Sequence, residues 1–234
     1  MSKPSMKRSD INRIMREADS FIRSFGYVLP PFAYWSPAEF RARKDEVQAI
    51  VDHNLGWDIT DYGLGDFMDT GLFLFTVRNG NNADLGKGRG MLYAEKAMIS
   101  RQNQYSPMHR HHLKAEDIIN RGGATLVIEL FGDTDGRIDR DKGTVVHTDG
   151  IRRELAPGAQ LKLAPGESVT LLPNEHWHAF WGEGGDVFVG EVSTVNDDNT
   201  DNLFEDARIS RFSGIEEDEE PWHLLVSDYS TWLA

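Results

Sequence analysis

The segment Pro107-Met108-His109-Arg110-His111-His112-Leu113-Lys114-Ala115-Glu116 decides the reading of this chain. In an extended strand, residues two apart share a face, so His109 and His111 present both imidazoles to one point while His112 faces the other way. Glu116 comes at an odd interval after His111, so its carboxylate reaches the same point only if the chain bends after His112. A fourth ligand is expected from Pro173-Asn174-Glu175-His176-Trp177-His178, at the start of another β-rich run, with His178 as the donor. His112 and His176 remain alternative ligands, and the isolated His53, His147 and His223 read as structural. Three imidazoles and one carboxylate suit a divalent transition metal, Mn²⁺ first, with Zn²⁺, Co²⁺, Fe²⁺ or Ni²⁺ as alternatives.

Outward from this segment the chain reads as strands. Runs are expected at 72–78, 91–100, 106–112, 125–131, 144–148, 151–155, 160–163, 168–172, 177–181 and 186–193. Many short strands at close spacing predict a sandwich or barrel, not alternating βαβ units. Asn79-Gly80 and Asp149-Gly150 predict tight hairpins, and Pro157-Gly158 and Pro165-Gly166 mark further turns. Before the strands, Ile11, Ile14, Met15, Ala18, Phe21, Ile22 and Phe25 form one helical stripe that Gly26 ends. A second helix is expected from a capping box at Ser36-Pro37-Ala38-Glu39 to about Asn54. The expected organisation is one mainly β domain over 1–234: a helical extension at 1–56, a barrel core at 70–195 and a C-terminal extension at 196–234.

Composition narrows the classes further. The 234 residues carry 25 Lys plus Arg against 38 Asp plus Glu, a formal net charge of −13, and 39% hydrophobic residues. That is a folded globular chain whose acidic balance disfavours the phosphate backbone of nucleic acid. Without cysteine there is no disulfide or thiolate metal site, so any metal must take His and carboxylate ligands. No apolar run approaches the roughly 18 residues of a membrane span, and the first ten residues lack a signal-peptide core, so a cytoplasmic location without a membrane partner is expected. The Ile11–Phe25 stripe and the apolar ending from Trp222 to Trp232 predict a homodimer.

His109-x-His111, Glu116 and Gly123, followed by Gly166, Pro173 and His178, resemble the two cupin motifs, although Asn103, Glu175 and Gly182 depart from the usual residues. A longer stretch is similar to the D-lyxose isomerase family of cupins. It includes Glu116-Asp117-Ile118-Ile119-Asn120-Arg121-Gly122-Gly123, Phe180-Trp181-Gly182-Glu183, Gly190-Glu191-Val192-Ser193, Val195-Asn196-Asp197-Asp198, Arg211-Phe212 and Glu216-Glu217-Asp218-Glu219. The resemblance implies a cupin-type jelly-roll barrel. It also implies a metal-dependent aldose–ketose isomerase that interconverts D-lyxose and D-xylulose through a cis-enediol, with D-mannose as a second substrate.

Such chemistry needs an acid and a base beyond the metal ligands. Lys96, in an apolar β-run, is either cavity-facing or edge-exposed, and the resemblance favours a catalytic lysine. For the base, the resemblance favours Glu216 or Glu217 of the acidic tail, with Glu191 as competitor and sugar contact. Lys114 is a further sugar-binding candidate, and Trp177 or Trp181 offers an apolar face for the substrate. A cupin dioxygenase and a non-catalytic sugar-binding cupin are the competing readings.

Overall fold

The computed structural model describes residues 5–198, 200–210 and 214–233; Arg211 and Phe212 lie outside them. A short strand β1 (Ser5–Lys7) leads into helix α1 (Arg8–Ser24), followed by α2 (Pro37–Ala42) and α3 (Gln48–Asp52). Then come β2 (Gly56–Thr60), β3 (Leu72–Arg78), α4 (Asn82–Leu85), β4 (Tyr93–Ser100), β5 (Ser106–His111) and β6 (Glu116–Thr134). They are followed by β7 (Arg137–Asp139), β8 (Thr144–Thr148), β9 (Ile151–Leu155), β10 (Ala159–Leu163) and β11 (Ser168–Leu171). β12 (His176–Thr194), β13 (Asn202–Phe204), β14 (Gly214–Glu216) and α5 (Tyr229–Trp232) complete the described chain.

Among the described residues, twelve strands join in one antiparallel network, β2-β3-β4-β12-β6-β11-β8-β9, with β7 and β10 on β6, β5 on β12, and β13 on β5. β6 and β12 carry the curl. Each is 19 residues long, and the two pair along most of their length. The first half of β12 lies between β5 and the second half of β6, and its second half lies between β4 and the first half of β6. Both strands therefore pass from one wall to the other, which makes the expected jelly-roll barrel. Sequence reading split them because Gly122-Gly123 and the glycines at 182, 184 and 185 look like strand ends. They are bends instead: Gly122, Gly123, Gly184 and Gly185 all have positive φ, a conformation that suits residues without a Cβ.

The register shifts at 183/187 and 188/189 add one residue to β12 relative to β6. The inward parity of β12 consequently changes from even, at His178 and Phe180, to odd, at Val187, Val189 and Glu191. That switch brings His178 and Glu191 into one interior.

Two apolar layers hold the barrel. Inside, Leu72, Leu74, Met98, Ile118, Leu126, Ile128, Leu130, Val187 and Val189 form one cluster. Outside, Phe73, Phe75, Val77, Ala97 and Ile99 of the same strands pack under Ile11, Ile14, Met15, Ala18 and Ile22 of α1. The α1 stripe offered for a dimer is thus covered by the chain's own barrel, as are Trp222 and Leu225 of the C-terminal ending.

Three further expectations change. The second helix breaks into α2 and α3, because residues 41–46 carry no large apolar side chain to hold a continuous helix on the body. Its Ser36–Glu39 capping box is present. Asn79-Gly80 is not a tight hairpin: the chain detours through α4 before β4, while Asn79 Nδ2 donates to His53 O and Asn196 O. By contrast Asp149 and Gly150, at φ 51° and 82°, close the β8–β9 hairpin as expected. Strands β2 and β13 extend the sheet beyond the expected 70–195 limits.

Candidate active site

β5 points His109 and His111 inward, and β12 pairs His178 directly opposite His109. The ring nitrogens of these three buried histidines include one atom each that lie within 4.8 Å of one another. The chain then bends through residues 112–115, which returns the Glu116 carboxylate to the same place. Glu116 Oε1 stands 3.2 Å from His111 Nε2 and 3.3 Å from His178 Nε2. Asp201 holds that bend: its Oδ1 accepts from the amides of His112 (3.1 Å) and Leu113 (2.7 Å), and its Oδ2 accepts from that of Lys114 (2.9 Å).

Charge and hydration favour a metal here. His111 Nδ1 and Nε2, His178 Nδ1 and Nε2, and Glu116 Oε1 are buried without hydrogen-bond partners. Orphaned buried polar atoms are costly, and an ion among them supplies the missing partner. Burial, then the neighbouring His178 and His111, pushes the His109 imidazole well below its usual range, and burial with Lys114 lowers His111. Both rings therefore give up a proton more readily than a free imidazole. For Glu116, burial opposes ionisation but Lys114 and His111 outweigh it and hold the carboxyl well below the usual carboxylate range. The His₃–carboxylate set fits a divalent metal ion.

Beside this hub lies a relay of buried charges. Lys114 Nζ sits 2.7 Å from Glu116 Oε2 and 2.9 Å from Glu191 Oε1. Lys96 Nζ reaches the same Glu191 oxygen at 3.5 Å, donates to Asn196 Oδ1 at 2.7 Å and approaches Asp198 Oδ1 at 3.3 Å. Burial would discharge Lys114, yet Glu116 and Glu191 hold its pKa above the ordinary lysine value. The hub and relay line one cavity of about 310 Å³. Its remaining wall is apolar at Leu72, Leu74, Met98, Ile118, Phe180, Phe204 and Ile209, hydroxyl-bearing at Thr60, Tyr62, Ser106 and Ser210, and otherwise polar at Asp58 and Asn202. A neutral polyol with one reactive end fits such a wall: carbon faces pack on the apolar side chains and hydroxyls find partners.

The model of the D-lyxose isomerase family matches residues 6–229. The chain belongs to that family. A D-lyxose/D-mannose isomerase of Serratia proteamaculans is 47% identical over 240 residues, covering 98% of this chain and 100% of the relative. One of Escherichia coli O157:H7 is 43% identical over 229 residues, covering 96% and 98% respectively. Among solved structures, the fold is similar to the L-ribose isomerase of Acinetobacter sp. DL28 in complex with L-ribose, at TM-score 0.60 and 14% identity over 92% of this chain and 100% of that one. The ligand-free L-ribose isomerase of Cellulomonas parahominis gives 0.58 and 15% over the same shares. At such identities these structures speak for the barrel alone. As a member of a sugar isomerase family, the chain is an enzyme.

Within this D-lyxose isomerase family member, several expected site residues stand elsewhere. Glu216 lies on β14, paired in parallel with Lys7, and Glu217 clasps Arg8 through 2.7 and 2.9 Å bonds. Neither lines the cavity. The acidic tail fastens the C-terminal segment to the start of α1, with Asp218 on Ser9 and Glu219 on Asn12. Trp177 points to the outer face of the barrel, where its Nε1 donates to Asp133 at 2.8 Å, and Trp181 packs on Tyr105. Phe180 and Phe204 provide the aromatic wall instead. His112 is exposed, whereas His176 is spent on Leu172 N and Val145 O. His53 and His223 bond to Gly80 O and Trp35 O, and His147 is exposed on β8. Tyr62, Ser106 and Asp201 were missed: Tyr62 and Asp201 reach the site through a turn and a loop with no periodic signal, and Ser106 begins β5 at a position whose parity differs from that of His109 and His111, so strand alternation alone does not direct it inward.

Proposed function

We propose that the protein interconverts D-lyxose with D-xylulose and D-mannose with D-fructose, using a divalent metal ion, Mn²⁺ in the first instance, and a cis-enediol intermediate. Two relatives at 43% and 47% identity bear the name D-lyxose/D-mannose isomerase. The observation that carries the chemistry is Glu191 Oε1, fixed between two buried ammonium groups at the mouth of the His₃–Glu116 hub. His109, His111, Glu116 and His178 would hold the ion, which supplies Lewis acidity toward the carbonyl and adjacent hydroxyl oxygens.

The remaining work belongs to the chain. Glu191 takes the C2 proton of the aldose and delivers a solvent-exchangeable proton to C1 on the same face, so one carboxylate serves both half-reactions. Lys96 gives a proton to O1 as the carbonyl electrons shift and recovers one from O2 as the ketose forms, which balances the transfer. Lys114, bonded to both Glu116 and Glu191, holds the two carboxylates in place. The apolar wall excludes water, and the hydroxyl groups of Tyr62 and Ser106, 2.7 Å apart, face the polyol. Glu191 replaces the tail glutamates as the base because it alone among the described residues lines the cavity and contacts both lysines.

The test is incubation of Mn²⁺-loaded protein with D-lyxose and D-mannose, followed by chromatography of the products. D-xylulose and D-fructose are the expected products. Sugar binding without product would point to a non-catalytic cupin, and oxygen consumption without isomerisation to a dioxygenase; either overturns the proposal.

A further inference from the structure

We propose that Asp201, contributed by the segment after the barrel, is a positioning residue that sets the geometry of the metal hub. Its carboxylate performs two tasks. It gathers the consecutive amides of His112, Leu113 and Lys114 at 3.1, 2.7 and 2.9 Å, fixing the bend by which Glu116 and Lys114 turn back into the barrel. Its Oδ2 also stands 3.8 Å from His111 Nδ1, a buried nitrogen without another partner, while His111 Nε2 faces Glu116.

A ligating imidazole commonly directs its second nitrogen to a carboxylate or carbonyl, which fixes the tautomer and the ring plane. His109 shows the carbonyl version of this arrangement, with Nδ1 2.8 Å from Pro107 O. For His111 the Asp201 carboxylate stands at 3.8 Å, beyond hydrogen-bond length, where a small movement of the ring on binding the ion would bring Nδ1 onto Oδ2. Its own position is over-determined: it is 4% exposed, its amide donates to Asp197 O at 3.0 Å, and β13 begins at the next residue and pairs with β5. One anchored carboxylate thereby couples the C-terminal segment to a ring and to the turn carrying a carboxylate of the hub. This inference rests on the metal reading above.

Asp201→Asn separates the two tasks. The amide retains one oxygen for the His112 and Leu113 N–H groups but turns an NH₂ toward Lys114 N–H and His111 Nδ1. Isothermal titration with Mn²⁺ should show Kd raised about 10- to 100-fold, while at saturating Mn²⁺ the KM for D-lyxose stays within about twofold. A Kd within twofold of the unmodified protein overturns the positioning role alone. Absence of Mn²⁺ binding by the unmodified protein overturns the metal reading and this inference together. Because Asp201→Asn can also fail to fold, hydrogen exchange of the unmodified metal-free protein gives an independent check. The amides of Leu113 and Lys114, which donate to the Asp201 carboxylate while that of His112 also donates to Asp201 O, should be protected at the level of strand residues, and exchange at the rate of an open loop overturns the proposal.

Discussion

Glu191 shares one oxygen between Lys96 and Lys114, at 3.5 and 2.9 Å, in a pocket that exposes only 4% of it. A carboxylate so held is aimed, and its removal leaves the two buried lysines without their common partner. Glu191→Gln keeps the volume but abolishes the proton acceptor, so kcat should fall about 10²- to 10⁴-fold with KM little changed; an active variant would remove Glu191 from the reaction. His223 provides a test outside the site. Burial holds its imidazole below the ordinary histidine range, with its ring stacked on Trp57 and Nδ1 on Trp35 O, near Asp19, Arg16 and Glu39. Below about pH 6.5 the unfolded state binds a proton that the folded state refuses, so this contribution to stability is lost as pH falls through that region. Urea midpoints measured at pH 7.5 and 5.5 should drop for the unmodified protein and drop less for His223→Gln. At this scale the sequence reveals donors better than their partners: His109-x-His111 follows from strand alternation, whereas Asp201 carries no local signal because long-range pairing alone brings it in.

The outer layer depends on α1. Ile14 is buried within the cluster that includes Phe73, Phe75 and Phe188, so Ile14→Ala should cost about 2–5 kcal/mol by denaturant titration. Arg8, fully buried at the helix start, bonds to Asp228 at 2.8 and 2.9 Å and to the half-exposed Glu217. Loss of a partner from a buried pair leaves an uncompensated charge, so Arg8→Leu should destabilise by about 3–5 kcal/mol. Glu217→Gln should cost under about 1 kcal/mol because solvent screens that carboxylate. These two values together separate a structural clasp from a catalytic tail, since Glu217→Gln should also retain full turnover. The α1 stripe was legible because a period of 3.6 survives in sequence. The destination of the acidic tail was not: a run of five acids reads equally as solvated charge or as partner for a distant arginine. The continuity of β6 and β12 was hidden for a related reason, since glycine serves both to end a strand and to bend one.

Across the whole molecule, the barrel brings the two ends of β12 into one cavity through a single added residue, and the segment after the barrel closes the site with Asn196, Asp198, Asp201 and Phe204. A sandwich or barrel could be read from strand density and turns, and the resemblance of the two His-bearing motifs to those of cupins implied the jelly roll. Which charged groups converge could not, because that depends on the parity switch in β12. The arrangement calls for proton transfer between C1 and C2 by an exchangeable carboxylate. Turnover of D-lyxose by the Mn²⁺-loaded protein in D₂O, followed by NMR, tests this directly: Glu191 exchanges its proton with solvent and places deuterium at C1 of D-xylulose. Efficient conversion with the original hydrogen fully retained at C1 would contradict the enediol route.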